Sequence, residues 1–264
     1  MNAYGALAES YDRLTNDVDY ADFVRFTHEL LKKERFTPRS VADLACGTGS
    51  TTRLLAEMGY DTVAVDLSED MLTEAMAKCS DLPKLPLFLH QSLQELKLHW
   101  GVDLAVCYLD SLDYILEPAD CKKAIARVYQ ALNPGGVFIF DVNTPEKLRA
   151  MDDQVFLDED ETVYCVWRGE FDPETNICSY GMDLFQREGS LWRRSFEEHQ
   201  EYAYSPEQLT EYLRAAGFTS IEIFADRLMQ PPRRGEQRIF FKARKGAVRV
   251  RASGTHHKKE EAAD

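Results

Sequence analysis

Asp43, Gly47, Gly49 and Asp66 are the residues whose types and spacing point first to chemistry. In the stretch VADLACGTGS, residues 41–50, an apolar run carries an acid inside it and ends on two glycines separated by one residue. Glycines in such a turn take backbone angles closed to other residues and expose their peptide groups to a ligand above them. The next apolar run, DTVAVD, closes on Asp66, a carboxylate placed to accept hydrogen bonds from the two hydroxyls of a ribose. A cofactor carrying a ribose is the first expectation.

These residues need strands and turns to hold them, and the pattern provides both. YADFVRFTHELLKKERF places Phe23, Phe26, Leu30 and Leu31 at helical spacing. SVADLAC then reads as a strand, STTRLLAEMGY as a helix, DTVAVD as a strand, and SEDMLTEAMAKCS as a helix capped by Ser68. LPLFLHQ and VDLAVCYL are further strands, PADCKKAIARVYQAL is a helix stopped by NPGG, and VFIFDVNT is the fifth strand. Near-continuous apolar strands alternating with helices indicate a parallel sheet buried on both faces, hence a doubly wound α/β fold.

After Thr144 the pattern changes. Residues 161–204 alternate in strand-like runs broken by DPETN and REGS, which predicts an antiparallel insert of three or so strands over about 146–204. SPEQLTEYLRAAGF is a helix, and SIEIFAD and QRIFFKAR complete a mostly parallel, seven-stranded Rossmann-like sheet. One domain is expected over 1–245. Residues 246–264 lack a sustained apolar period and are expected to be disordered.

A Gly-rich first turn with an acid at the end of the second strand is common to nicotinamide-binding and S-adenosylmethionine-binding sheets, and Asp66 alone does not choose between them. Three details do. The dinucleotide fingerprint asks for a small residue where Thr52 stands. Asp43 gains nothing from a diphosphate but would welcome an ammonium group. NPGG before the fifth strand is unrelated to dinucleotide binding. With DLACGTG, VDLSEDML, LDSLDY and NPGGVFIFD together, the chain resembles a class I S-adenosylmethionine-dependent methyltransferase from about Tyr4 to Lys245. It is similar to the small bacterial members that carry Y…YDxL at the N-terminus.

The resemblance implies a set of roles. Ala45, Cys46, Gly47 and Gly49 would pass along the methionine and sugar portions of S-adenosylmethionine, with Asp43 near its amino group. Asp66 would take the ribose hydroxyls, and Leu67 and Met71 would line the adenine, although both also suit ordinary core packing. Ser92, followed by Leu93, stands where many relatives place the acid that receives the adenine amino group, so that contact would be neutral and shorter. Leu109, Asp110 and Ser111 would run past the methionine portion, with Asp110 and Tyr114 approaching the transfer site. Asp113 stands where close relatives would carry Asn. Tyr4, Tyr11 and Tyr20 resemble the aromatic lid that closes over the cofactor; equally, they could pack the first helix onto the sheet. The product would be S-adenosylhomocysteine.

The acceptor is read from less. A hydroxyl or carbon acid needs a base, whereas an amine needs only its free lone pair. His199 is the best candidate base or orienting group, with surface or packing histidine as the plainer reading; Asp110, Asn143 and Asp141 also face the expected cleft. The sequence lacks [DNS]-P-P-[YFW] after the fourth strand and any Pro-Cys or Thr-Cys pair, which disfavours adenine-N6, glutamine-N5 and pyrimidine-C5 methylation. A formal charge of -14 argues against nucleic acid as partner. The basic run from Arg233 to Lys259 reads as a solvated last strand and tail, with an RNA contact as the minor alternative. Six cysteines without a C-x-x-C pair fit a reducing cytoplasm and no metal site. No membrane span is present. A small-molecule substrate and a monomer or homodimer are expected, with a catalytically silent cofactor-binding module acting through a partner as the alternative.

Overall fold

The computed structural model describes residues 12, 15, 18–159 and 161–247. Tyr4, Tyr11 and all of the tail beyond 247 lie outside the described residues. Helix α1 (Tyr20–Lys33) is followed by β1 (Ser40–Leu44), α2 (Ser50–Glu57), β2 (Asp61–Asp66), α3 (Glu69–Lys78), β3 (Leu87–His90) and β4 (Val102–Cys107). Then come α4 (Pro118–Ala131), β5 (Leu132–Asn143) and α5 (Pro145–Ala150). A run of four strands follows: β6 (Val155–Glu159), β7 (Val163–Asp172), β8 (Ile177–Glu188) and β9 (Leu191–Tyr202). The chain closes with α6 (Pro206–Ala216), β10 (Phe218–Ala225) and β11 (Arg238–Lys245).

The main sheet has seven strands in the order β10-β11-β5-β4-β1-β2-β3. The five strands from β3 to β5 are parallel, and β11 runs antiparallel to both β5 and β10. Alternate residues on each strand supply two cores, as burial on both faces requires. Val41, Leu104, Val106, Val137, Ile139 and Phe240 pack under α1 and α2. Ala42, Leu44, Ala105, Cys107, Phe138, Phe140 and Phe241 pack under α4 and α6. The sheet order reverses beside β1, so the ends of β1 and β4 open into the crevice where ligands bind in such folds.

Two departures from the sequence pattern have physical causes. NPGG does not separate α4 from the fifth strand; it lies within β5, beside a register shift against β4, with Asn133 donating to Asp103 at 2.8 Å. The insert is a four-stranded antiparallel sheet in the order β6-β7-β8-β9. Its first strand escapes the pattern because every residue of β6 is exposed, so no alternation marks it. All six cysteines are buried and unbridged. Among the described residues no helix is long and apolar enough to cross a membrane.

Candidate active site

The first turn divides the work of its two glycines. Gly47, at φ +53, would point an added Cβ into open space, which keeps the mouth of the turn clear for a ligand. Gly49, at φ +78, would drive a Cβ to 2.8 Å from Ala75 Cβ, so it is needed for the close approach of α3. Ala45 also takes a left-handed φ of 54. Asp66 fixes the turn: one oxygen accepts Gly47 N–H at 2.8 Å and the other accepts Ser68 N–H at 2.8 Å. Burial raises its carboxyl above the ordinary value, and those peptide donors oppose the rise.

Asp43, 2% exposed, lies in the wall of a cleft formed with the turn from Ala45 to Thr48, Tyr20, Leu109 and Ser111. Thr52 Oγ1 donates to it at 2.5 Å. Burial pushes its carboxyl up to about 7, against the Thr52 hydrogen bond, with repulsion from Asp66 added. Thr52, which broke the dinucleotide fingerprint, is thus the partner that Asp43 needs. Above the turn, Asp12 accepts Thr48 Oγ1–H at 2.6 Å and pairs with Lys78 Nζ at 2.7 Å, while Lys78 donates to Ser50 at 2.7 Å. On the adenine side Leu67 is 67% exposed, whereas Met71 is packed inward. Ser92 is half-buried before the single turn Leu93–Glu95, with Leu93 buried.

The loop after β4 is held by a group that the sequence pattern had facing the substrate cleft. Leu109 and Asp110 both have left-handed φ, 55 and 51, an uncommon conformation for non-glycine residues. Asp141, fully buried at the end of β5, accepts both of their N–H groups, at 2.9 and 3.1 Å. Arg238, the first residue of β11, pairs with Asp141 and with Asp110, the latter at 2.6 Å. Burial raises Asp141 to about 6, against the pull of Arg238. Asp141 and Asp110 therefore do not stand open in the cleft: they brace the loop. The basic last strand is not solvated either, since Lys242 is 2% exposed and pairs with Glu34 and Glu222, and Arg244 also pairs with Glu34.

The same loop reaches the four-stranded sheet. Asp113 O accepts Tyr202 N–H at 2.7 Å, and Asp113 Oδ2 accepts Asn143 N–H at 2.8 Å. Tyr114 meets His199 edge to face, centroids 6.1 Å apart. Strand register puts Trp167, Met182 and Glu197 in one row, Tyr180 and His199 in the next, and Cys178 and Glu201 in a third, all on one face. That face packs on Leu148 of α5. His199 is 2% exposed, with Trp167 at 6.2 Å and Glu197 Oε2 at 3.3 Å from its Nε2. Asn143 donates to Glu201 at 2.7 Å and accepts from Lys147 at 2.7 Å.

With this geometry in place, likeness to known proteins decides the family. A methyltransferase-domain model matches residues 41–136. A protein of Geobacillus sp. (strain WCH70), described as a methyltransferase with no acceptor named, is 31% identical over 245 residues, covering 92% of this chain and 99% of its own. The crystal structure of an S-adenosylmethionine-dependent methyltransferase from Clostridium acetobutylicum ATCC 824 superposes with a TM-score of 0.84 at 32% identity, over 92% of this chain and 99% of that one. The chain belongs to the S-adenosylmethionine-dependent methyltransferases. A Streptomyces venezuelae dTDP-3-amino-3,4,6-trideoxy-α-D-glucopyranose N,N-dimethyltransferase is 29% identical over 137 residues, 51% of this chain and 56% of its own.

The methyl donor of this methyltransferase is S-adenosylmethionine, and the cleft fits it: a buried carboxylate for an ammonium, open space over Gly47, and a carboxylate at the end of β2. Asp43, Ala45, Cys46, Gly47, Leu109 and Ser111 come together around that cleft. His199, Asn143 and Tyr114 gather instead at the joint with the four-stranded sheet. Arg238, Asp141 as a brace, and Glu201 were missed. Their only signal was charge inside otherwise apolar or alternating strands, and partners 97 and 58 residues away leave no spacing to read.

Proposed function

We propose that this methyltransferase moves the donor's methyl group to a small-molecule acceptor, through an amine or hydroxyl, held between the carboxyl end of the main sheet and the inner face of the four-stranded sheet. One loop carries the reading: Leu109 and Ser111 line the cofactor cleft, while Asp113 and Tyr114, a few residues on, touch β9. Bound S-adenosylmethionine supplies an electrophilic methyl group on a sulfonium. Asp43 takes the ammonium, Asp66 the ribose hydroxyls, and Leu67 one side of the adenine. Asp141 and Arg238 keep the loop between cofactor and acceptor in one shape, and His199 with Tyr114 and Trp167 forms the wall against the acceptor. Displacement at a methyl carbon requires the nucleophile in line with the leaving sulfur, so most of the acceleration comes from positioning and exclusion of water.

The test is release of S-adenosylhomocysteine from S-adenosylmethionine across a panel of small amines, alcohols and hydroxy acids. Acceptor-dependent release, with methylated product seen by mass spectrometry, supports the reading. Binding of the cofactor with no release across the panel points to the silent module.

A further inference from the structure

We propose that Glu201 is the proton acceptor for an amine, and that the chain's small-molecule acceptor is therefore a primary or secondary amine that arrives as an ammonium ion. The inference rests on the reading above and narrows it. Glu201 is 4% exposed, yet it lies on the same face of β9 as His199 and Glu197, beside Tyr180. Asn143 Nδ2 donates to one Glu201 oxygen, so an acceptor site remains on the carboxylate.

The surroundings are acidic in excess of their cations. Asp110 and Asp113 face Glu201 from the loop after β4, with Asp141 behind them on β5. Against these four acids stand Arg238, which is committed to Asp110 and Asp141, and Lys147, which donates to Asn143 and acts on Glu201 only from beyond ion-pair distance. From β8, Tyr180 and Cys178 face the group, and both are neutral at ordinary pH. A second observation points to a cation: Asp113 is fully buried, and its Oδ1 meets no hydrogen-bond donor among the described residues, although Glu201 is its strongest charged neighbour. A fold does not gather buried carboxyls around an unmet oxygen without cost; an incoming N–H donor with positive charge relieves both the repulsion and the missing bond.

The chemistry follows directly. An ammonium has no lone pair, so one N–H bond must break before transfer. The proton passes to a Glu201 oxygen, and the electron pair left on nitrogen becomes the nucleophile. Burial, with repulsion from Asp110 added and the Asn143 hydrogen bond opposing, raises Glu201 to about 8, so the carboxylate fraction able to take the proton grows as pH rises toward 8, where exchange with a bound ammonium is nearly balanced.

The experiment compares wild type with Glu201→Gln, which keeps an oxygen for Asn143 but cannot take a proton. Calorimetry with S-adenosylhomocysteine comes first: equal affinity in both proteins leaves the cofactor reading intact whatever follows. Turnover is then measured with matched pairs, aminoalkanols against diols and amino sugars against sugars. Amines are expected to turn over and their hydroxyl partners not; wild-type kcat/KM should rise with pH to about 8, as Glu201 ionises, and then level off, whereas Glu201→Gln should lie about 100-fold lower at pH 8 and keep rising about tenfold per pH unit above it, where water deprotonates the amine. A purely structural role would lower the profile without changing its shape. In parallel, the Glu201 carboxyl resonance, identified by its loss in Glu201→Gln, is followed by 13C NMR in the S-adenosylhomocysteine complex as amines are added. Turnover confined to hydroxyl acceptors, an unchanged pH profile in Glu201→Gln, or a resonance that no amine moves would overturn the proposal.

Discussion

The two ends of this molecule are built differently. At the edge formed by β1 and β2, backbone groups and short-range partners make the site: Asp66 holds Gly47 and Ser68, and Asp43 is held by Thr52, nine residues on. At the joint with the four-stranded sheet, long-range side-chain pairs make it: Arg238 with Asp110 and Asp141, Asn143 with Glu201, Tyr114 with His199. A turn fixed by its own neighbours tolerates little variation in the ligand, which suits a cofactor. A joint made of separate strands can change one pair at a time, which suits an acceptor that differs between relatives.

The largest expected effect breaks the joint. Arg238→Met leaves the fully buried Asp141 and the adjacent Asp110 without their cation, a change that typically costs about 3–5 kcal/mol, or roughly 10 °C in Tm for a chain of this size. Thermal unfolding checks it, and a shift under 2 °C would mean that the peptide groups of Leu109 and Asp110 alone hold Asp141.

A second test sharpens the other end. Asp43 carries its charge above about pH 7 and loses it below, so a bound ammonium is lost as pH falls. Affinity for S-adenosylhomocysteine should weaken about tenfold per pH unit below 7 and stay flat above it. A flat profile from pH 5.5 to 8.5 would remove Asp43 from the ammonium site.

Glu201 offers a stability test of opposite sign to the usual one. The unfolded chain releases this proton near pH 4.5 and the folded chain near 8, so between them the fold binds the extra proton and loses stability as pH rises. Glu201→Gln should therefore raise Tm relative to wild type at pH 8 and leave it unchanged at pH 4.5. The smallest effect belongs to Lys78→Met, which leaves Thr48 to hold Asp12 over the turn without its cation. For a pair this exposed, about two- to fivefold weaker cofactor binding is expected, fading in high salt.

The same contrast decides what the sequence could show. Parallel strands buried on both faces read as apolar runs, and the turn after β1 and the acid that fixes it close two successive apolar runs, so the main sheet and the Gly47–Asp66 end were legible. β6 was not, because an edge strand exposed along its whole length has no alternating face. The charges on β11 looked like a solvated strand because the acids that consume them, Glu34, Asp110, Asp141 and Glu222, come from the cap just past α1, the loop after β4, β5 and β10. Asp113 departed from the Asn expected of close relatives; in the structure it is the joint between the loop, Asn143 and β9.

The measurement that tests the central claim most directly is calorimetric titration of wild type and Asp66→Ala with S-adenosylhomocysteine, with NADH as control. If the β1–β2 edge is the cofactor site, wild type binds the sulfur cofactor and not NADH. Asp66→Ala, which removes the ribose acceptor and releases Gly47 and Ser68 together, should then lose at least about 100-fold in affinity. Equal binding by folded wild type and Asp66→Ala would contradict the account and place the cofactor elsewhere.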